Sequence, residues 1–179
     1  YKLLSFVLNF IIKITLIGCS SSLLQEKKQH IILTNQVALI FAFTASLYTP
    51  LFYRLDPVLL LADLIFISLF LLSLIFTLLC FFPLSSLNIF LSVGFGIFFY
   101  ANAFGPNAGI QLVYFPLVII PFVIFSYKEK HSMYLTFIIP IFFYLLLESY
   151  DYSLLYQTSR FPHWETFMYY TVVIINFTI

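Results

Sequence analysis

The residues that could carry chemistry in this sequence are few, and one of them is an acid inside an apolar run. Asp63 lies within the letters LLLADL at 59–64. An ionisable group inside hydrocarbon is costly to bury, so it marks a functional site or a structural pair. We expect Asp63 either to reach the membrane interface or to pair with Arg54. Asn35, in the first apolar run, is expected to hydrogen-bond to a neighbouring helix.

A second set of polar and aromatic residues surrounds the strongest loop signal of the chain, GPNAG at 105–109. These residues are expected at one end of a helix bundle and form a candidate ligand pocket: Asn102, Asn107, Gln111, Tyr114, Glu148, Asp151 and Trp164. Pro116, Pro121 and Pro140 remove backbone donors nearby and can kink their helices, which opens room between the ends. The same residue types also form aromatic belts at the headgroup level. The sequence leaves pocket and belt open.

Motifs of soluble enzymes are absent from the sequence. It contains no Gly-rich phosphate loop, no Cys-x-x-Cys, no His-Glu-x-x-His and no Gly-x-Ser-x-Gly. His30, His131 and His163 fall at boundaries on both sides of the expected bilayer, so they do not form one metal site. We therefore predict no catalytic residue, no metal and no cofactor in this chain. Whether the whole protein is an enzyme stays open.

The composition indicates the environment of the chain. Of 179 residues, 63% are hydrophobic, only 8 are Lys or Arg and 7 are Asp or Glu, and the mean hydropathy is +1.06. A soluble domain of this size has too small an interior for so much apolar side chain, so most of it must face lipid. A net charge of +1 offers no basic face to nucleic acid. The two cysteines lie in apolar runs and favour buried thiols over a disulfide.

The apolar runs predict an all-α fold, an integral membrane bundle of six transmembrane helices. A membrane helix needs about 20 apolar residues, and these runs are apolar on every face, which favours helices over barrel strands. The predicted spans are 31–52, 58–82, 87–103, 110–126, 133–150 and 164–179, the last of which we expect to continue past Ile179. They form one domain, 25–179. Residues 1–24 are predicted to hold a short interfacial helix, because Lys13 interrupts an apolar run that is too short to span.

The loop charges predict the orientation. Six lysines fall on one side of the bilayer and two arginines on the other: Lys2, Lys13, Lys27, Lys28, Lys128 and Lys130 against Arg54 and Arg160. Basic residues collect on the cytoplasmic side. The sequence therefore predicts a multi-pass protein of the inner (plasma) membrane with both termini in the cytoplasm and the candidate pocket outside.

Three segments together resemble a bacterial six-helix membrane module. They are LQEKKQHIILTNQVAL at 24–39, GPNAGIQLVYFP at 105–116 followed by PFVIFS at 121–126, and LLLE at 145–148. Such modules precede class III adenylate/guanylate cyclases and sensor histidine kinases. The resemblance implies a homodimeric receptor or regulatory anchor whose sixth helix continues into a cytoplasmic effector. It implies no ligand and does not separate cyclase from kinase.

We expect from these observations a transmembrane sensor or regulatory anchor domain of a bacterial signalling protein. It would pass an outside or lipid signal through helix six to a nucleotide cyclase or histidine kinase that follows this chain. Its partners would be the bilayer, a second copy and an unknown small-molecule or lipid ligand. The alternative is a small solute-binding membrane subunit of a transporter, of the vitamin-importer type. A channel or proton-coupled transporter would need more intramembrane charge than Asp63.

Overall fold

The computed structural model of the chain describes residues 9, 11–19, 25–125, 129–155, 169, 170 and 173. Within these residues the secondary structure is helical, with turns and no strand, so the predicted all-α class is confirmed for this part of the chain. The α-helices are α1 (Gln25–Leu55), α2 (Pro57–Leu78), α3 (Phe82–Phe104), α4 (Tyr114–Ile124) and α5 (Lys130–Ser149). Two short 3-10 helices, Pro106–Ala108 and Ile110–Val113, precede α4.

Four of the helices are long and apolar enough to cross a membrane: α1 from Lys27 onward, α2, α3 and α5. They correspond to the first, second, third and fifth predicted spans. The chain is thus compatible with a multi-pass membrane protein. The sixth predicted span falls outside the described residues except at Tyr169, Tyr170 and Val173, which are helical. Trp164 lies outside them as well.

The fourth predicted span, 110–126, is shorter than the sequence suggested. Its 11 α-helical residues follow 4 residues of 3-10 helix. At about 1.5 Å per α-helical and about 2.0 Å per 3-10 residue this is about 25 Å, less than a hydrocarbon core of about 30 Å. Pro116 explains the change of helix type, because its ring would collide with the Leu112 carbonyl in a continuous α-helix.

The boundary between α2 and α3 also differs from the prediction. We expected one span to end at residue 82 and the next to begin at 87, but α2 ends at Leu78 and α3 begins at Phe82. Cys80 adopts a φ of 64° at the end of α2, and the Phe81 amide donates to the Phe76 carbonyl at 2.9 Å. This bond pattern closes a helix and turns the chain at once. Ser85 and Ser86 consequently lie inside α3.

The start of α2 follows directly from its first residues. Asp56 is the N-cap, and its Oδ1 accepts a hydrogen bond from the Val58 amide at 2.7 Å. Pro57 occupies the first helical position, where a missing amide hydrogen costs nothing. Asp56 is the only residue between α1 and α2, so these two helices form a tight hairpin and pack on each other.

We expect replacement of Asp56 by alanine to lower the free energy of unfolding by about 1 kcal/mol, because the α2 amide loses its acceptor. The measurement is unfolding in mixed dodecyl maltoside and SDS micelles followed by circular dichroism. Asp56→Asn is the control, since an amide oxygen also accepts the bond, and it should stay near the parent. An equal loss in both variants would contradict the capping role.

The chain divides into two compact units, residues 1–92 with 124–128, and residues 93–123 with 129–179. In the first unit the core includes Phe52, Leu59 and Phe66. In the second unit Leu117 and Leu147 are fully buried. The long helix α3 contributes its first half to one unit and its second half to the other.

Candidate functional site

Asp63 is buried in the first unit. Its side chain is 1% exposed, and its Oδ2 accepts a hydrogen bond from Thr49 Oγ1 at 2.6 Å. Asp63 therefore faces α1, and its place relative to the membrane interface stays a prediction. Arg54 lies nearby in sequence and is exposed. The hydrogen bond between Thr49 and Asp63 therefore joins α1 to α2.

Asn35 binds backbone rather than another helix side chain. Its Nδ2 donates to the Thr15 carbonyl at 3.2 Å and to the Ile17 carbonyl at 3.0 Å. Both carbonyls belong to the segment 11–19, which we call the N-terminal strap. Residues 11–15 of the strap are helical, and the chain turns at Gly18, whose φ is +80°. Asn35 thus holds the carbonyl end of a short helix against α1.

Asn102, the first candidate pocket residue, is buried in the second unit at the end of α3. It is 0% exposed, and its Nδ2 donates to the Phe98 carbonyl at 2.8 Å. Its Oδ1 accepts a hydrogen bond from the Leu154 amide at 3.1 Å. Asn102 therefore ties the segment that follows α5 to the end of α3, and both of its polar atoms are used in doing so.

Tyr114 also points inward in the second unit. Its hydroxyl donates to the Gly94 carbonyl at 2.8 Å, and the side chain is buried. The ring meets Tyr144 edge to face, with 6.2 Å between ring centroids. Gly94 is also a point at which α5 lies close to α3. A Cβ placed on Gly94 would lie 2.9 Å from the Phe143 ring. The tyrosine hydroxyl is thus used in helix packing.

The loop between α3 and α4 contains two further candidates. Gln111 Nε2 donates to the Pro106 carbonyl at 3.0 Å, while its Oε1 is buried and has no hydrogen-bond partner among the described residues. Asn107 is exposed. Gln111 therefore links the two ends of this loop by a hydrogen bond, whereas the side chain of Asn107 is accessible.

The end of α5 carries the two acidic candidates. Glu148 and Asp151 are both exposed, and Glu148 Oε1 accepts a hydrogen bond from the Tyr152 hydroxyl at 2.8 Å. Burial of Tyr152, followed by this bond and the charge of Glu148, raises the pKa of the Tyr152 phenol well above its usual value. The phenol therefore stays protonated at physiological pH and keeps the bond to Glu148.

Most of the predicted pocket residues consequently fall into two groups, and Gln111 lies between them, half-buried. Asn102 and Tyr114 are buried and bonded within the second unit, whereas Asn107, Glu148 and Asp151 are exposed. The structure joins the end of α3 to the segment after α5 through Asn102. Trp164 lies outside the described residues, and the ligand pocket stays a prediction.

One contact of the loop involves the predicted sixth span. Gly109 has a φ of +67°, and a Cβ placed on it would lie 2.8 Å from the Tyr169 ring. The ring of Tyr169 therefore rests directly on the Gly109 backbone, which only a residue without a side chain permits. This contact links the loop at 105–109 to residue 169.

A buried polar cluster at the junction of α1, α2 and α3 is the feature that sequence reasoning missed. It consists of the buried residues His30, Thr34, Ser73, Thr77, Ser85 and Ser86 and the half-buried Asn88. On one side His30 Nε2 lies 2.9 Å from Ser86 Oγ, and Thr34 Oγ1 lies 3.4 Å from it. The His30 ring also packs on Phe125, with 4.8 Å between ring centroids.

The other side of the polar cluster connects α2 to α3. Thr77 Oγ1 and Ser85 Oγ lie 2.8 Å apart, and Ser85 Oγ donates to the Ser73 carbonyl at 2.8 Å. Asn88 Nδ2 donates to Ser73 Oγ at 2.7 Å and to the Leu69 carbonyl at 2.7 Å. The signal for this cluster was present in the spacing, since Ser73 and Thr77 are four residues apart and Ser85 and Asn88 three apart on one helix face.

The polar cluster does not have the arrangement of a hydrolytic site. Ser86 and His30 pair as a nucleophile and a base would, but they are only 1% and 4% exposed. Ser86 Oγ also lies 3.3 Å from the Phe82 carbonyl, which accepts a hydrogen bond from it. No group of three metal-ligating side chains occurs among the described residues. What the cluster does is fix α1, α2 and α3 in one register, because each polar group needs its partner in a water-poor interior.

The surroundings of Cys19, at the end of the strap, change the pKa of its thiol. Burial raises the pKa of Cys19, and the nearby Lys28 ammonium opposes this rise. Only the thiolate reacts with iodoacetamide, so the pKa sets the alkylation rate near neutral pH.

We expect Cys19 in a Cys80→Ser background to be alkylated at pH 8 about three-fold or more slowly than free cysteine, with a rate that rises with pH. Lys28→Gln should slow it further, because loss of the ammonium raises the pKa of the thiol again. Lys13→Gln is the matched control. Mass spectrometry of a time course measures the rates, and faster alkylation in Lys28→Gln would contradict the assignment.

No family model matches this chain, and neither a curated protein nor a solved structure matches it.

Proposed function

We propose that this chain is the membrane domain of a signalling protein, a sensor or regulatory anchor that acts on an effector through its sixth helix. The contact of Gly109 with Tyr169 carries this proposal. The loop at 105–109 lies at the predicted outer surface, and Tyr169 lies in the predicted sixth span. A displacement of this loop would therefore act directly on Tyr169, and so on the helix that would leave the membrane toward the effector.

The bond between Asn102 and the Leu154 amide supports the same path. The segment 150–155 leads from α5 toward the sixth span, and Asn102 fixes it to α3. An outside molecule or a lipid that displaced Glu148 or Asp151 would act on this same segment. Signalling needs only a difference of a few kcal/mol between two arrangements of the helices.

The rest of the proposal concerns topology and assembly. Both termini lie in the cytoplasm of a bacterial cell, as the lysine distribution favours. Two copies pair, so that the sixth helices of the dimer set the geometry of the effector, a nucleotide cyclase or a histidine kinase. The solute-binding alternative is less favoured, because Asn102 and Tyr114 use their polar atoms within the protein.

The test is a fusion in which a nucleotide-cyclase catalytic domain follows Ile179, expressed in bacteria that lack their own cyclase. Tyr169→Ala removes the ring that rests on Gly109, and we expect cyclic AMP to change at least about three-fold. Tyr170→Ala is the matched control, because the neighbouring ring is 63% exposed. Unchanged cyclic AMP in Tyr169→Ala, with normal membrane insertion, would contradict the proposal.

A separate experiment tests the topology. An epitope tag at each terminus should remain inaccessible to antibody in intact spheroplasts and become accessible after permeabilisation. Staining of either tag in intact spheroplasts would overturn the proposed orientation and, with it, the route from the outer loop to a cytoplasmic effector.

A further inference from the structure

We propose that the N-terminal strap, residues 11–19, is a removable cover over the polar cluster of α1, α2 and α3. This inference goes beyond the proposed function and is independent of it, because it concerns the first unit only. It assigns to the strap the role of keeping a set of buried hydroxyl groups away from the medium, and of exposing them to water or to a polar ligand when it leaves.

The first attachment of the strap lies beside the polar cluster on α1. Asn35 holds the carbonyls of Thr15 and Ile17 with the two hydrogens of one amide group. Thr34, the preceding residue, belongs to the cluster through Ser86. The strap therefore lies across α1 at the level at which α1 joins the cluster.

The second attachment lies on a member of the polar cluster. A Cβ placed on Gly18 would lie 2.8 Å from the Thr77 carbonyl oxygen, 2.9 Å from Thr77 Cγ2 and 3.3 Å from Phe82 Cε1. Thr77 is 1% exposed and bonds to Ser85. The bare backbone at Gly18 thus sits on Thr77 and on the first residue of α3, and it closes this end of the cluster.

The strap is held by polar contacts more than by apolar packing. Its side chains Ile11, Ile12 and Leu16 are 46–48% exposed, and Thr15 is the one buried residue within 11–19. In addition, Asn35 Oδ1 is buried and has no hydrogen-bond partner among the described residues while the strap is docked. On release water can reach this oxygen, and the hydrogen bond that it then makes offsets part of the cost of losing the two Asn35 bonds.

The test uses Thr77→Cys as a reporter in a background of Cys19→Ser and Cys80→Ser. A membrane-impermeant maleimide is added to membranes opened on both sides, and the labelling rate is followed by gel shift. We expect slow labelling with the strap intact and labelling at least about tenfold faster with Asn35→Leu, which removes both donors. Asn35→Asp keeps the size of the side chain, places a carboxylate against two carbonyls, and should act in the same direction.

Two controls make the result decisive. Ser46→Ala changes an α1 hydroxyl that bonds within its own helix, and it should leave the labelling rate of Thr77→Cys unchanged. Ser92→Cys reports on a buried position of α3 with no contact to the strap among those described, and it should stay slow in every variant. Fast labelling of Thr77→Cys with the strap intact, no acceleration by either Asn35 variant, or equal acceleration of Ser92→Cys would each overturn the proposal.

Discussion

Replacement of Asn102 by leucine should lower the free energy of unfolding by about 3 kcal/mol, the largest effect we expect from a single side chain here. The variant loses the bond to the Phe98 carbonyl, and it deprives the Leu154 amide of its acceptor. An unmade hydrogen bond at a site this buried costs about 1–3 kcal/mol, and the branched side chain adds strain at a position that is 0% exposed. Unfolding in mixed SDS micelles measures the loss.

Two further variants separate the causes. Asn102→Asp keeps an acceptor for the Leu154 amide and should lose less than Asn102→Leu. Asn107→Leu alters an exposed amide in the same region and should stay within about 0.5 kcal/mol of the parent. Similar losses at positions 102 and 107 would show that Asn102 does not hold the segment after α5.

Replacement of Gly109 by alanine should cost about 2 kcal/mol. At a φ of +67° any L side chain is strained by about 1 kcal/mol, and the new methyl group would also lie 2.8 Å from the Tyr169 ring. Gly105 differs from Gly109, because its φ of +79° with a ψ of 176° is a region that essentially only glycine occupies, although no atom lies within 4 Å of a Cβ placed there. Gly105→Ala should therefore lose stability through its backbone alone, by about 1–3 kcal/mol.

A double variant isolates the contact itself. In a Tyr169→Ala background, Gly109→Ala should cost only the backbone part, about 1 kcal/mol, because the ring that the methyl group would strike is gone. The difference between single and double variants measures the coupling between loop and residue 169. Additive losses would mean that the two residues do not touch, and the mechanical path of the proposed function would fail with them.

The sequence predicted the positions of the long helices well because their signals are local. Apolar length identified α1, α2, α3 and α5, and the pair Asp56 and Pro57 marked the start of α2 by capping chemistry. The ends were less accurate for a physical reason. Apolar residues do not distinguish a turn from a helix inside lipid, so the change at Cys80 and the early start of α3 had no compositional mark.

For the candidate site, the sequence could not supply the partners on which the burial of each side chain depends. Asn102 and Tyr114 were expected at a ligand surface. Asn102 accepts from the Leu154 amide, about 50 residues away in sequence, and Tyr114 donates to the Gly94 carbonyl, about 20 residues away. No local pattern specifies such a partner. The polar cluster was missed because Ser and Thr have hydropathies near zero and do not interrupt an apolar run. Their spacing of three or four residues along one helix face was nevertheless visible.

The helix α1 is longer than the hydrocarbon core of a membrane is thick. Its 31 residues make a rod of about 46 Å at 1.5 Å per residue, against about 30 Å of hydrocarbon. The polar segment 25–30 at the amino-terminal end makes about 9 Å of this difference, and the apolar residues start at Ile31. A membrane crossed by α1 would thus meet Lys27 and Lys28 outside its hydrocarbon, at the level of the headgroups.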